Sequence, residues 1–567
     1  MRLHIKYIYW IPLILSVVHP AYGQTSNLFS LSGNIGLFYD FYDHSTENYQ
    51  TFRPRYPNNL GRLSAHATIS AGRYFSMPFG IDFSAGQATY HLPTLPEERF
   101  VDYVRNPRNN IHINPQYKWV QAWAGTQTPN FSSLSTGDIP IFGVGLAMNP
   151  GKFIFAAHYG TSQLGINPDP TANIAGTYRQ RMLASRIGVG TEDGTKFVLN
   201  FVHIKDDIFS VDQRPAGLQP REGMVLSPLL QIRLSPTLTF STETAGSVFT
   251  RDLLGPAMVI DNDITPYMED FIGINGSTNT DFSNISSIDW QSDNAGFGLE
   301  VRYLGPGYEA IGYRAMERDL IDYNLRTNLA FFQRRIMLNG SAGIRTNNLQ
   351  GTTAESTNRF IANANLYAQI TEQLSVNTSF ANFGFRNNVL FDTLKVEMIQ
   401  NMFSISPSYQ INGQNITHMI NAGVSMQYFD EFNVFEGTFV STQSQNYTGN
   451  YMLVFNNIPL NLGLLGMYLE NTTPATSLTL YNIRLMARYR FLDNKLSPAL
   501  NLSYMGIEYA GQTPDARLQM QLRTTYKVTS DMELQLGYTL SNHTYGSTRP
   551  GAVTTEHRLQ LAVRQRF

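Results

Sequence analysis

Residues 557–567 read HRLQLAVRQRF, and how this stretch is read decides the fold. Leu559, Leu561, Val563 and Phe567 share one parity, while Arg558, Gln560, Arg564 and Arg566 share the other. Side chains alternate across a strand, so one face is apolar and the other strongly basic. A surface strand of a soluble sheet would alternate in the same way, so the weight of the reading lies in repetition. Met532, Leu534, Leu536, Tyr538 and Leu540 oppose Glu533, Gln535, Gly537, Thr539 and Ser541. Leu518, Met520, Leu522, Tyr526 and Val528 oppose Arg517, Gln519, Gln521, Arg523 and Lys527. Ile483, Leu485, Ala487, Tyr489 and Phe491 oppose Asn482, Arg484, Arg488 and Arg490. Near the other end, Leu31, Gly33, Ile35, Leu37, Tyr39 and Phe41 alternate with Ser32, Asn34, Gly36 and Asp40, and Phe38 alone breaks the polar parity.

Composition narrows the setting. The chain has 567 residues, a net charge of −2, no cysteine, 15% charged and 12% aromatic residues. Low charge with 31 Tyr and 35 Phe argues against an ordinary cytosolic enzyme, and the balanced charge gives no support for nucleic-acid binding. Arg2, His4 and Lys6, the apolar run Ile8–Val18 and the Ala21-Tyr22-Gly23 site predict a cleavable secretory signal over residues 1–23, with the mature chain starting at Gln24. Without cysteine there is no disulfide framework and no lipid-anchored cysteine. No later run approaches the roughly 20 apolar residues of a helical span. Even Asn457–Leu469 is broken by Pro459, Asn461 and Gly463. An exported all-β protein or a barrel in a bacterial outer membrane fits these constraints.

The connections favour the barrel. Tight turns are predicted at Tyr74–Met77, Asn149–Gly151, Glu192–Gly194, Ser235–Thr237, Gly305–Gly307, Phe332–Arg334, Thr371–Gln373, Asn412–Asn415, Asn456–Pro459, Asp493–Lys495 and Thr529–Asp531. Longer connections alternate with them, among them Thr161–Arg181, Asp206–Arg221, Arg251–Asp293, Asn347–Asn358, Arg386–Lys395 and Glu431–Gln443. Short turns on one side and longer loops on the other are the asymmetry of an outer-membrane barrel. The predicted class is an all-β transmembrane antiparallel barrel spanning residues 24–567, with about 26 strands and 24 as the alternative. Direct reading finds about 25, and even parity then requires a missed strand near Arg99–Val104 or Asn130–Thr136, or one false strand between Leu60 and Ile141. Residues 128–140 read as a connection, a weak strand or a segment folded into the interior.

Candidate functional residues follow from the faces. Arg484, Arg488, Arg490, Arg517, Arg523, Lys527, Arg558, Arg564 and Arg566 all fall on the lumen parity of the last strands. Such a wall attracts anions in a confined space. The competing reading is that these cations pair with acids and stiffen the barrel. The connection Arg251–Asp293 carries Asp252, Asp261, Asp263, Glu269, Asp270, Asp281, Asp289 and Asp293 among apolar residues. It is the predicted plug or docking element, without the spacing of a calcium loop. G-x-S-x-G, H-E-x-x-H and C-x-x-C are absent, and histidines are scattered. No catalytic residue, cofactor or metal site is therefore predicted.

The signal segment, the Gln24 start, the long Tyr/Phe/Asn-rich strands and the terminal Phe567 resemble outer-membrane β-barrel proteins of Bacteroidetes. That resemblance implies outer-membrane lipid around the barrel, the barrel-assembly machinery acting on the strand ending at Phe567, and envelope protein partners. It carries no catalytic residue across. TonB-dependent transporters are similar in barrel size, but strands begin near Leu31 and leave no room for their plug. The expected function is passage of small, anionic solutes. An accessory barrel in an export, assembly or uptake complex is the alternative, and an outer-membrane enzyme is a distant one.

Overall fold

The computed structural model describes residues 29–87, 104–107, 109–170, 174–214, 217–256, 271–310, 318–351, 355–389, 396–433 and 438–567. The signal segment lies outside them. Apart from Ile111–Ile113 and Gln116–Tyr117, strands adjacent in sequence pair antiparallel, and the first, Phe29–Glu47, pairs with the last, Val553–Arg566, so the sheet closes. Phe567 N donates to Gly33 O at 3.1 Å and Gly33 N donates to Phe567 O at 2.8 Å, which zips the terminal residue into the seam. Closure leaves no edge strand.

The barrel has 26 staves built from 27 strand segments. Ile111–Ile113 and Gln116–Tyr117 are two halves of one stave between Phe75–Gln87 and Val120–Gln127. Pro115 has no N–H and interrupts the ladder. The Asn114 side chain fills the gap, donating to Ala122 O at 2.6 Å and accepting from Gln116 and Gln121 at 2.8 Å each.

The count of 26 therefore holds, but not stave by stave. The missed strand lies at Ile111–Tyr117, not at Asn130–Thr136, while Arg99–Val104 falls largely outside the described residues. A second strand, Thr278–Gln291, runs inside the expected connection Arg251–Asp293, and the short turn follows it at residues 292–294. Gly305–Gly307 then belongs to the long-connection end, after Ala295–Leu304. Among the described residues only Leu320–Phe331 stands between it and the Phe332–Arg334 turn, one strand fewer than two tight turns imply, which keeps the total at 26. With these corrections both the start of the first strand and Phe567 lie at the short-turn end.

Strand lengths are uneven. Glu355–Gln369, Leu374–Val389, Val396–Asn412, Ile416–Asn433 and Thr438–Phe455 run 15 to 18 residues. A bilayer span takes about 9–11 residues. This flank therefore rises past a bilayer on the long-loop side.

Candidate functional site

Directly paired residues share a face, so one fixed residue assigns the whole barrel. Ala184 is fully buried against the inward-folded segment 128–140 and marks the lumen face of Arg179–Gly190. Carried through the register, that parity places Arg484, Arg488, Arg517, Arg523, Lys527, Arg558, Arg564 and Arg566 on lumen faces. Arg490 sits just past Tyr489, at the mouth of a short turn, with its N–H on Pro459 O at 2.9 Å.

The lumen has two unlike flanks. On the flank of strands 141–331, segment 128–140 folds inward. Phe131 and Leu134 join a core with Met182, Val202, Ile204 and Phe249. Polar groups fix it as well. Ser132 Oγ donates to Glu243 Oε1 at 2.6 Å, Ser227 Oγ donates to the same oxygen at 2.7 Å, and Arg186 Nε donates to Asn200 Oδ1 at 2.8 Å. Arg186 also donates to Phe131 O and lies 4.7 Å from the Phe131 ring centroid. Tyr308, fully buried, donates to Leu134 O from the next inward-folded connection. Of the three readings of residues 128–140, the structure selects the interior segment.

Charges on this flank and beside it are paired. Arg326 lies 3.2 Å from Asp289 and 3.7 Å from Glu300, and Arg302 lies 3.5 Å from Glu300. Arg345 holds Asp322 in a fork at 2.6 and 2.7 Å. Asp281 and Asp289, read as loop acids, are lumen-facing strand residues; Asp281 accepts Gly307 N at 2.7 Å. Of the expected plug, residues 257–270 lie outside the described residues. Its near end holds to the rim, where Gly273 N donates to Glu222 Oε2 at 3.0 Å and Thr250 donates to Gly273 O at 2.6 Å.

The flank around the seam differs. Arg558 Nε donates to both oxygens of Asp40, at 2.9 and 3.0 Å, with its guanidinium 3.8 Å from the Tyr56 ring centroid. Tyr42 donates to Glu556 at 2.7 Å, and Arg517 Nε donates to Ser541 Oγ at 2.7 Å, with Glu556 4.0 Å from the Arg517 guanidinium. These two of the nine cations follow the stiffening reading. Arg564 stacks over Phe38, 5.3 Å from its centroid. Among the described residues, the side chains of Arg484, Arg488, Arg490, Arg523, Lys527 and Arg566 have no hydrogen bond or ion pair, and neither does Arg62, a lumen cation that the sequence reading passed over. Its signal was available, since Arg62 shares parity with Ser64, His66, Thr68 and Ser70 rather than with Leu63, Ala65 and Ile69.

The outer face is apolar all round. Val189, Leu226, Phe297, Leu325, Phe360, Phe403, Ile483, Leu485 and Leu518 point outward, each more than a third exposed, with Leu518 at 58%. Exposed aromatics gather at the short-turn end, including Tyr74, Tyr117, Trp119, Phe332, Phe491 and Phe567. Among the described residues no group of three or more His, Asp or Glu is placed to hold a metal ion.

The fold is thus a closed antiparallel barrel of the transmembrane type. No protein-family model matches the sequence, and no curated protein matches it. Solved structures do. The chain is 10% identical to the ferric enterobactin receptor of Pseudomonas aeruginosa, with a TM-score of 0.43 over 95% of this chain and 80% of that one. It is 9% identical to the P pilus usher translocation pore, with a TM-score of 0.33 over 95% of this chain and 99% of that one. It is 12% identical to OccAB4 of Acinetobacter baumannii, with a TM-score of 0.29 over 66% of this chain and 99% of that one. Superposition this loose adds nothing to the strand pairing already described.

Proposed function

We propose that the protein is an outer-membrane channel that passes small anionic solutes. The observation that carries this reading is the set of lumen-facing Arg and Lys side chains near the seam that form no ion pair among the described residues, inside a cylinder whose outer face is greasy. Unpaired cations on a confined wall raise the local concentration of anions. A predominantly apolar exposed surface running round the barrel is costly in water and matched to lipid. Segment 128–140 narrows the opposite flank and supports a restricted path rather than an open cylinder. The predicted signal segment and the seam-locked Phe567 support export and assembly into the outer membrane. No catalytic step, cofactor or metal belongs to this reading.

The test is the reversal potential of the full-length protein in a planar bilayer under a KCl gradient. Wild type is expected to prefer chloride, and the triple variant R484Q/R488Q/R523Q to lose at least half of that preference. Equal selectivity in both proteins rules the reading out.

One observation favours the accessory-subunit reading: the five long strands that rise past the bilayer. Their outward parity mixes polar side chains, such as Asn382, which donates to Asn401, with the exposed Ile399 and Tyr428. That wall is suited to an envelope protein partner, and stable co-purification of one with a bilayer-silent barrel would support this second reading.

A further inference from the structure

Phe38, the residue that breaks the polar parity between Ser32 and Asp40, sits in a distinct place in the fold. Phe38 faces the lumen, paired directly with Arg62 on one side and Ala562 on the other. Its ring covers Gly36, where an added Cβ would come within 2.8 Å of Phe38 Cε2. Arg564 covers one part of the ring at 5.3 Å from its centroid. Phe38, Tyr56, Arg62, Arg523, Arg558 and Arg564 line one recess of about 820 Å³ at the seam. Ala562 and Gly537 keep its floor low.

The charges do not cancel. Asp40 is taken up by Arg558 and by Gln560, whose Nε2 donates to it at 3.3 Å. Asp82 is taken up by His66 at 3.2 Å and by Asn110 at 2.9 Å. Among the described residues Arg62 and Arg523 have no acceptor, and both are exposed to the lumen. A recess of this size suits a small organic molecule, since ligand sites span about 300–1,000 Å³. A flat aromatic face beside a free guanidinium fork recognises two features at once. The ring takes a planar apolar body, and the fork takes a carboxylate in bidentate fashion.

We infer that this recess is a binding site for aromatic monocarboxylates on their way through the barrel. The inference rests on the channel reading above and names the class of anion the wall selects. Within it, Arg62 holds the carboxylate, Phe38 and Tyr56 hold the ring, and Arg523 on the facing side guides the anion in.

Full-length protein in detergent micelles is titrated with benzoate, acetate and benzyl alcohol by saturation-transfer NMR. Barrel integrity is followed through heat-dependent migration in SDS gels. Benzoate is expected to bind at least tenfold tighter than acetate or benzyl alcohol. R62Q should weaken benzoate at least tenfold, and F38A should erase the preference for benzoate over acetate. Benzoate binding no tighter than acetate overturns the inference, as does unchanged benzoate binding in R62Q and F38A barrels that keep their folded migration. Binding is read without any current, so the two ideas fail separately. A silent bilayer with tight benzoate binding removes the channel and leaves the site, whereas chloride selectivity without benzoate preference does the reverse.

Discussion

At the residue scale, Asp40 shows what the sequence can and cannot tell. Period-two alternation alone put Arg558 and its eight companions on the lumen side, because facing is a local property of a strand. The partner of Arg558 lies 518 residues away, and only closure of the barrel brings it near. Nothing local distinguishes a paired lumen arginine from a free one, which is why the stiffening and anion-wall readings both stood open. Asp40→Ala should strip Arg558 of its acceptor at the seam. Hydrogen bonds to charged groups contribute about 1.5–3 kcal/mol. The variant should unfold at lower temperature than wild type in heat-modifiability gels, whereas Arg484→Gln, which breaks no bond, should unfold within a degree or two of wild type.

At the element scale, strands with unbroken alternation were legible and diluted ones were not. Thr278–Gln291 hides because its outward parity mixes Phe282, Ile288 and Trp290 with Asn284 and Ser286, while its lumen parity carries Asp281 and Asp289. Acids that pair with Arg326 and a loop N–H read, in isolation, like a solvated loop. Ile111–Tyr117 hides for another reason: Pro115 splits it, and side-chain amides of Asn114 do part of the ladder's work. Segment 128–140 was visible as irregular, but its inward course depends on Arg186, Glu243 and Tyr308, which come from three separate parts of the chain. Replacing residues 129–138 by a short Gly-Ser link should leave the barrel folded and raise single-channel conductance at least twofold. Unchanged conductance would mean that the segment does not bound the path. Glu243→Ala should loosen the same segment more gently, detected as faster proteolysis between residues 128 and 140.

At the scale of the whole molecule, the chain is a sheet wetted differently on its two sides. The outward face should reject charge and the lumen face should accept it. Ile483→Arg is expected to cost about 2–4 kcal/mol in refolding into phospholipid vesicles, the range for Arg or Lys near the bilayer midplane. Asn482→Arg, one residue away on the lumen parity, should cost under about 0.5 kcal/mol. The sequence contains no cysteine, so single nitroxide labels can be introduced one position at a time without background. Labels at successive positions 480–487 in vesicle-reconstituted protein report oxygen accessibility, high in lipid, against accessibility to a water-soluble nickel chelate. Odd positions, including Tyr481, Ile483 and Leu485, should be oxygen-accessible, and even positions, including Asn482, Arg484 and Met486, should be chelate-accessible. Uniform accessibility along the strand, or a dry signal at the even positions, would contradict a lipid-wetted cylinder with an aqueous bore.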